Sequence, residues 1–256
     1  GGSGIYAENS TNLTISGNEF KNHTQGNPII LASVASPSHT NIVVTNNNFH
    51  DNAYSNVYVL SVSNGTFTNN TVTPASDSTG FSFSGGNSDI TITGNTITNG
   101  QRGIRIEDAG YGIGSNSNFT IRENNLSGNT EYGIGVTAGG YASGTINARL
   151  NVWGAASGPA TTTNPDGTGS PVIGNEVDFS PWYTDMTKSK IDFLTVDTTV
   201  KTATVPEAFT SNGGTLATME LLSGTTLTGT LAWNGEFAFP YTTTTYNVVP
   251  GTGFAA

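Results

Sequence analysis

The chain has 256 residues, a formal net charge of −10 and only 10% charged residues. This balance argues against a nucleic-acid partner, because phosphate binding needs clustered Lys and Arg, whereas the chain has eight of them and they are scattered. No stretch approaches the roughly 20 apolar residues of a membrane span. β-branched residues recur in short runs separated by Asn and Gly, which predicts an all-β protein with a packed core rather than a disordered chain.

A motif at residues 12–20 organises the first half of the chain. It reads Asn, apolar, Thr, apolar, two small or polar residues, Asn, any residue, apolar, and it returns at 41–49, in degenerate form at 66–72, and at 89–97 and 118–126. Self-similarity at such a period is typical of repeat architectures. We predict that the second asparagine of each copy stacks in a hydrogen-bonded structural ladder at one corner; these residues, separated by 29, 23, 25 and 29 positions, are Asn18, Asn47, Asn70, Asn95 and Asn124.

A shorter motif, Gly, Pro or Asn followed by apolar-x-apolar, accompanies each coil. It occurs at 4–7, 28–31, 56–59, 80–83, 103–106 and 133–136. Such alternation predicts a short strand with one buried face. The Asn motif supplies two further short strands, so each coil is expected to have three. The inward columns predicted from this register are Ile5, Ile29, Val57, Phe81, Ile104, Ile134; then Leu13, Ile42, Ile90, Phe119; then Ile15, Val44, Phe67, Ile92, Ile121.

The repeats over residues 4–153 resemble the right-handed parallel β-helix repeats of bacterial and archaeal surface and periplasmic proteins. The run 150–159, followed by 164–169 and 177–182, looks like the segment that closes such helices in large secreted surface proteins, with Val152 where that segment usually has Trp. The resemblance implies architecture and location. Because the end of a solenoid exposes apolar surface, we expect a cap made of Trp153, Phe179, Trp182 and Tyr183.

The predicted fold class is therefore all-β, a right-handed parallel β-helix followed by a small β domain. The predicted divisions are a β-helix at 1–150, a closing segment at 151–186 and a small β-strand domain or assembly arm at 187–256. Antiparallel strands are expected in the last part, with turns at 213–214 and 234–235; the strands are 191–196, 199–205, 215–221, 226–233 and 246–249.

Enzymes with this fold need paired carboxylates, or a basic residue beside a Ca²⁺ cluster. Arg105 and Glu107 lie two apart on one predicted strand, with Ser82 and Ser84 expected on one side, Gly135 and Thr137 on the other, and no second carboxylate. This pattern favours a surface ion pair and a non-catalytic protein. The segment 164–167 is interpreted as a turn and His23, His39 and His50 as surface loop residues, so neither a metal nor a cofactor is expected.

Two outward columns offer binding alternatives. Tyrosine has an apolar face and a polar tip, which suits sugar contact, so the column Tyr6, Ile30, Tyr58, Ser82, Arg105 predicts a carbohydrate-binding surface formed by Tyr6, Tyr58, Arg105 and Glu107. Thr14, Thr91 and Thr120 form a second outward column, which Val43 interrupts. A regular threonine ladder on one face would suit ice binding, so this column predicts an ice-binding protein as a further alternative. Glycosylation sequons, where Ser or Thr follows two residues later, occur at Asn9, Asn12, Asn22, Asn64, Asn69, Asn118 and Asn125.

The polar, Lys-poor composition favours an extracellular or cell-surface location. The first coil begins at residue 4 without a preceding cap, so we expect either a longer helix or a neighbouring subunit to cover it, and head-to-tail contact of that kind makes filaments. The tail 242–249 is a candidate covering strand. The main hypothesis is thus a non-catalytic structural or adhesive protein whose partner is itself; a carbohydrate-binding or polysaccharide-degrading module and an ice-binding protein are the alternatives.

Overall fold

The computed structural model describes residues 2–33, 39–108, 110–192, 219–222 and 226–229. The chain divides into two compact units, Gly1–Asp192 and Phe193–Ala256. Their described residues form strands and turns without a helix, which confirms the all-β class. Within these residues, no helical segment has the length and apolar character needed to cross a membrane.

The first unit is a parallel β-helix built from three sheets, here called A, B and C, which receive successive strands of each coil. Sheet A has the order β1 (Ile5–Ala7), β4 (Ile29–Leu31), β7 (Val57–Val59), β10 (Thr79–Phe83), β13 (Arg102–Ile106), β15 (Tyr132–Val136), β17 (Val172–Ile173). Sheet B has the order β2 (Thr14–Ser16), β5 (His39–Thr45), β8 (Val62–Thr68), β11 (Ser88–Thr93), β14 (Ser117–Arg122), β16 (Ile146–Asn147), β18 (Val177–Asp178). Sheet C has the order β3 (Glu19–Lys21), β6 (Asn48–His50), β9 (Thr71–Thr73), β12 (Thr96–Ile97).

The core lies inside the three sheets, where alternate residues of each strand stack from coil to coil. The predicted inward column of sheet A is confirmed from Ile5 to Ile134 by the pairing register. In sheet B, Gly65 occupies the place between Ile42 and Ile90. A Cβ atom at Gly65 would lie 2.8 Å from Ile90 Cδ1, so the neighbouring side chains already fill that space.

The corner between sheets B and C holds the asparagine ladder. The backbone N–H and the amide Nδ2 of Asn95 both donate to Asn124 Oδ1, at 2.9 and 3.0 Å. The same Nδ2 also donates to the Phe67 carbonyl of the preceding coil, at 2.8 Å. Each amide therefore joins the coil before it to the coil after it. The interior of the ladder is fully buried, and its members in order are Asn18, Asn47, Asn70, Asn95, Asn124 and Asn151.

The closing segment is continuous with the solenoid. β17 pairs with β15 and β18 pairs with β16, both in parallel. Trp153 is fully buried, and Phe179 and Trp182 are nearly so, with ring centroids 6.0 Å apart. Trp182 Nε1 donates to the Ala156 carbonyl at 3.0 Å, while Tyr183 is half-buried. The strand β19 (Trp182–Tyr183) then pairs antiparallel with β20 (Ile191–Asp192).

In the second unit, β21 (Met219–Leu222) and β22 (Thr226–Gly229) form an antiparallel pair. The rest of that unit lies outside the described residues, and with it the strands predicted at 199–205 and 246–249 and the turns at 213–214 and 234–235. The division at 187 stays a prediction.

The interpretation of the histidines as surface loop residues is wrong for two of them. His39 begins β5 and its exposed fraction is 0%, and His50 ends β6 rather than lying in a loop. The Nδ1 atom of His39 accepts a hydrogen bond from the Ser10 backbone N–H at 3.3 Å. His23 and His50 are partly exposed.

Candidate functional site

The outer face of sheet A concentrates large side chains that point away from the core. Its central column runs Tyr6, Ile30, Tyr58, Ser82, Arg105, Gly135, Ile173. The predicted neighbours of Arg105, which are Ser82 and Gly135, are thus confirmed. Exposed aromatic residues also flank these strands, namely Tyr54 before β7 and Tyr111 after β13.

Two serines form the floor of a polar cluster on this face. Ser82 and Ser84 have exposed fractions of 1% and 0%, although Ser82 stands in the outward column. Ser84 Oγ donates to Glu107 Oε1 at 2.9 Å and lies 3.4 Å from Ser82 Oγ. Glu107 also forms an ion pair with the Arg105 guanidinium. The larger side chains of the adjacent coils therefore cover the serines.

Two tyrosines complete the cluster from opposite directions. Burial raises the pKa of the Tyr58 hydroxyl, whereas its side-chain hydrogen bond with Ser84 acts to lower it, and Tyr111 is close enough to exert a smaller upward effect. Tyr111 belongs to the segment after β13, whose Ile113 lies beside Gly85 and Gly86 of the preceding coil. The segment thus folds back against the coil that contains β10, and the Tyr111 ring that it carries is largely exposed.

Tyr132 borders the cluster on its other side. A Cβ atom at Gly135 would lie 2.7 Å from the Tyr132 ring, so this ring lies over Gly135 on the outer face. The Arg102 guanidinium carbon is 6.0 Å from the ring centroid, and Arg102 Nη2 is 2.7 Å from Glu131 Oε2. Burial raises the pKa of Tyr132 to about 12.

The structure brings together three of the four predicted carbohydrate-binding residues, which are Tyr58, Arg105 and Glu107. Tyr6 stands apart, because Ile30 occupies the coil between it and Tyr58. The Tyr6 hydroxyl donates to Glu8 Oε1 at 2.5 Å, and this hydrogen bond raises the pKa of Tyr6. Sequence reasoning missed Tyr111 and Tyr132; the longer coil between Ile104 and Ile134 was the available signal for Tyr111.

The chemistry of the cluster suits binding. Glu107 is its central carboxylate, and Arg105 balances its charge while Ser84 occupies one of its oxygens. General acid–base hydrolysis of sugars needs two carboxylates on either side of the bond that is cleaved. Among the described residues, no group of three or more His, Cys, Asp or Glu side chains is placed to hold a metal ion; the expectation of no metal stays a prediction.

The outer face of sheet B has a different character. Its central column runs Thr14, Val43, Thr66, Thr91, Thr120, and beside it run Ser16, Thr45, Thr68, Thr93, Arg122. Thr66 was missed because it belongs to the degenerate repeat. An exposed second ladder crosses the start of these strands: Asn41 Nδ2 donates to Asn12 Oδ1 at 2.9 Å and Asn64 Nδ2 to Asn41 Oδ1 at 2.7 Å.

The predicted sequon asparagines divide by what their amides do. Asn64 and Asn118 use Nδ2 as a ladder donor, to Asn41 and Asp89 respectively. A glycan attached to that nitrogen would replace one of its two hydrogens and add bulk beside the donor, so glycosylation there would crowd the ladder. All seven stay predictions, and six are exposed while Asn125 is half-buried: Asn9, Asn12, Asn22, Asn64, Asn69, Asn118 and Asn125.

Comparison with known proteins gives one match. A family model described as a right handed beta helix region matches residues 1–150. No curated protein and no solved structure matches the chain. The family is found both in surface proteins and in polysaccharide-degrading enzymes, and the matched residues include the cluster of Tyr58, Arg105 and Glu107.

Proposed function

Because the chain belongs to the right-handed β-helix family, we propose that it is a non-catalytic extracellular protein that adheres to glycans through the outer face of sheet A. The observation that carries the proposal is the cluster of Tyr58, Ser84, Arg105 and Glu107, with the largely exposed Tyr111 close enough to Tyr58 to affect its pKa. Sugar-binding surfaces combine aromatic faces with a few fixed polar groups, and this cluster supplies both on one rigid sheet.

The scaffold favours such a role because it holds the face in one geometry. The cluster spans strands β7, β10 and β13, which pair in exact register. The buried amide ladder joins the same coils at the opposite corner. Side chains that are positioned by strands need little ordering on binding, which lowers the entropic cost of association.

The ion pair supports binding over catalysis. Both oxygens of Glu107 already have partners within the protein, since Oε1 accepts a hydrogen bond from Ser84 and Oε2 forms an ion pair with Arg105, whereas a catalytic carboxylate has to reach the bond that is cleaved. The Thr- and Asn-rich coat and the scarcity of Lys support the extracellular location. Head-to-tail self-association stays a prediction, which electron microscopy of dispersed monomers would contradict.

The test is retention on a panel of polysaccharides, with product analysis for cleavage. We expect retention without cleavage, and Tyr58→Ala and Tyr111→Ala each to weaken binding about tenfold through the loss of one aromatic contact. Tyr6→Ala is the matched control, since it removes an exposed tyrosine of the same face outside the cluster. Cleavage products, or no retention of any polysaccharide, would contradict the proposal.

A second candidate function, ice binding, is favoured by one observation on sheet B. Thr66 and Thr91 lie in adjacent coils, about 4.8 Å apart by strand spacing, and Thr68 and Thr93 repeat the pair about 6.7 Å further along each strand. The two pairs form a two-dimensional array of hydroxyl and methyl groups. Val43 and Arg122 interrupt it. Purified protein without thermal hysteresis would remove this candidate.

A further inference from the structure

The cations at the aromatic cluster of sheet A are paired within the protein. Arg105 forms an ion pair with Glu107, and Arg102 with Glu131. Arg102 also lies against the Tyr132 ring. With Asp108 next to Glu107 in the chain, three carboxylates and two guanidinium groups share this region, so that its local balance is acidic.

An anionic sugar would therefore meet an unfavourable field. A uronate or sulfate group that approached Arg105 would have to displace the Glu107 carboxylate, whose side chain is only 15% exposed and which Ser84 also holds. Displacement would leave a largely buried carboxylate without its cation, which is costly. The net charge of −10 adds long-range repulsion of polyanions.

The same pair is well suited to uncharged hydroxyl groups. The Glu107 carboxylate, just after the end of β13, accepts hydrogen bonds, and the adjacent Arg105 guanidinium on β13 donates them. Two neighbouring hydroxyls of one sugar ring can thus be bound together, one as donor and one as acceptor. The rings of Tyr58 and Tyr111 supply apolar contact next to this pair.

We propose, on the basis of the glycan-binding function above, that the site selects neutral glycan chains, which lie along the solenoid axis, and discriminates against uronate-containing and sulfated chains. The direction follows from the column, because Tyr58 and Arg105 stand two coils apart in it, on either side of the covered Ser82. At about 4.8 Å a coil they span roughly 10 Å, the length of a short oligosaccharide.

The experiment compares polysaccharides that share a backbone and differ mainly in the charge of a substituent, namely hydroxyethyl cellulose against carboxymethyl cellulose, and fully methyl-esterified against de-esterified homogalacturonan. Binding is measured by affinity electrophoresis at low and high salt. The proposal expects retention by the neutral member of a pair, with little salt dependence. Preference for the charged member, weakened by salt, would overturn the neutral selectivity and leave the glycan-binding function intact. Retention by no member would overturn the neutral selectivity, and no retention on the whole polysaccharide panel would overturn the glycan-binding function itself.

Charge variants sharpen the test. Glu107→Gln leaves Arg105 unpaired and should raise binding of the anionic member about fivefold at low salt, the scale of one exposed ion pair. If Glu107→Gln lowers the unfolding temperature, Glu131→Gln is used in its place, because it releases Arg102 from its ion pair and should raise binding of the anionic member in the same way. Glu19→Gln is the control, because it removes a carboxylate of an ion pair on sheet C. An equal gain in the control would contradict the assignment to this site.

Discussion

The outer faces of sheets A and B are built on the same coils and differ in what the coils display. Sheet A presents tyrosines of unequal exposure, a charged pair and two covered serines. Sheet B presents threonines that repeat in register from coil to coil. An irregular face can recognise one molecule at one place, whereas a regular face offers the same contact many times. The irregular face of sheet A is therefore suited to selective binding, and the regular face of sheet B to a repetitive surface coat.

The largest expected effect comes from breaking the scaffold that both faces share. Asn95→Ala removes the donor to Phe67 and the acceptor of Asn70 inside the core. It should lower the free energy of unfolding by about 3 kcal/mol, because several buried groups lose their partners. Urea unfolding measures this.

The control for that variant is Asn64→Gly on the exposed ladder. Glycine tolerates the positive φ of 57° at this position, so the loss should stay below about 0.5 kcal/mol. Equal losses for Asn95→Ala and Asn64→Gly would show that the buried ladder has no special role in stability.

A second prediction alters sheet A alone. Gly135→Val places carbon atoms where the Tyr132 ring now lies, so the ring should move into solvent. We expect a cost of about 1 kcal/mol from overpacking and a fall of the Tyr132 pKa from about 12 towards its usual value of 10.0. Tyrosine absorbance across the alkaline range measures the shift, with Thr91→Val on sheet B as the control. An unchanged titration would contradict the position of the ring.

The third prediction concerns the pH dependence of stability, which depends on His39 at the corner between sheets A and B. Burial lowers the pKa of His39 below its usual 6.5, although the nearby Ala32 backbone and Glu8 act to raise it. The unfolded chain therefore takes up the proton first, and stability falls as pH falls below about 6.5. His50 has the opposite effect. The carboxylates of Asp51 and Glu19 raise its pKa in the folded protein. Its stabilising contribution is therefore present below about pH 6.5 and is lost as the pH rises through the folded-state pKa.

Urea unfolding at pH 7.5 and 5.5 measures both histidines. His39→Gln should reduce the loss of stability on acidification, whereas His50→Gln should enlarge it slightly, since His50 lies at the surface. The same pH dependence in His39→Gln and in the natural sequence would refute the assignment.

The smallest effect concerns sheet B. Thr91→Val removes one hydroxyl from the regular array and should change the free energy of unfolding by less than about 0.5 kcal/mol. Glycan retention should not change at all. A loss of retention equal to that of Tyr58→Ala would abolish the functional distinction between the faces.

The fold was predictable because its signals are local and repeated. Each ladder asparagine stands two residues before an inward apolar residue, as Asn95 does before Ile97, and so the register could be counted. The sequence did not predict Asn151 as a ladder residue, because the threonine-rich half of the motif does not precede it. His39 was misassigned because its buried position depends on the sheet it enters and not on its polar neighbours.

The site was less predictable for a physical reason. Strand alternation shows which residues share a column, and this placed Tyr58, Ser82 and Arg105 correctly. It carries no information on where the segment between two sheets folds. Tyr111 reaches the cluster only because the Ile113 segment lies against Gly85 and Gly86, a contact without periodic signal.

The corner between sheets A and B accommodates the changes in coil length. The chain runs from Val59 to Gly65 in one coil and from Ile106 to Phe119, about twice as far, in another, although both pairs stand in the same columns. At the ladder corner the interval from Asn47 to Phe49 equals that from Asn95 to Ile97. Length can thus be inserted next to the aromatic cluster without disturbing the amides, which makes this corner a natural place to graft loops of new specificity.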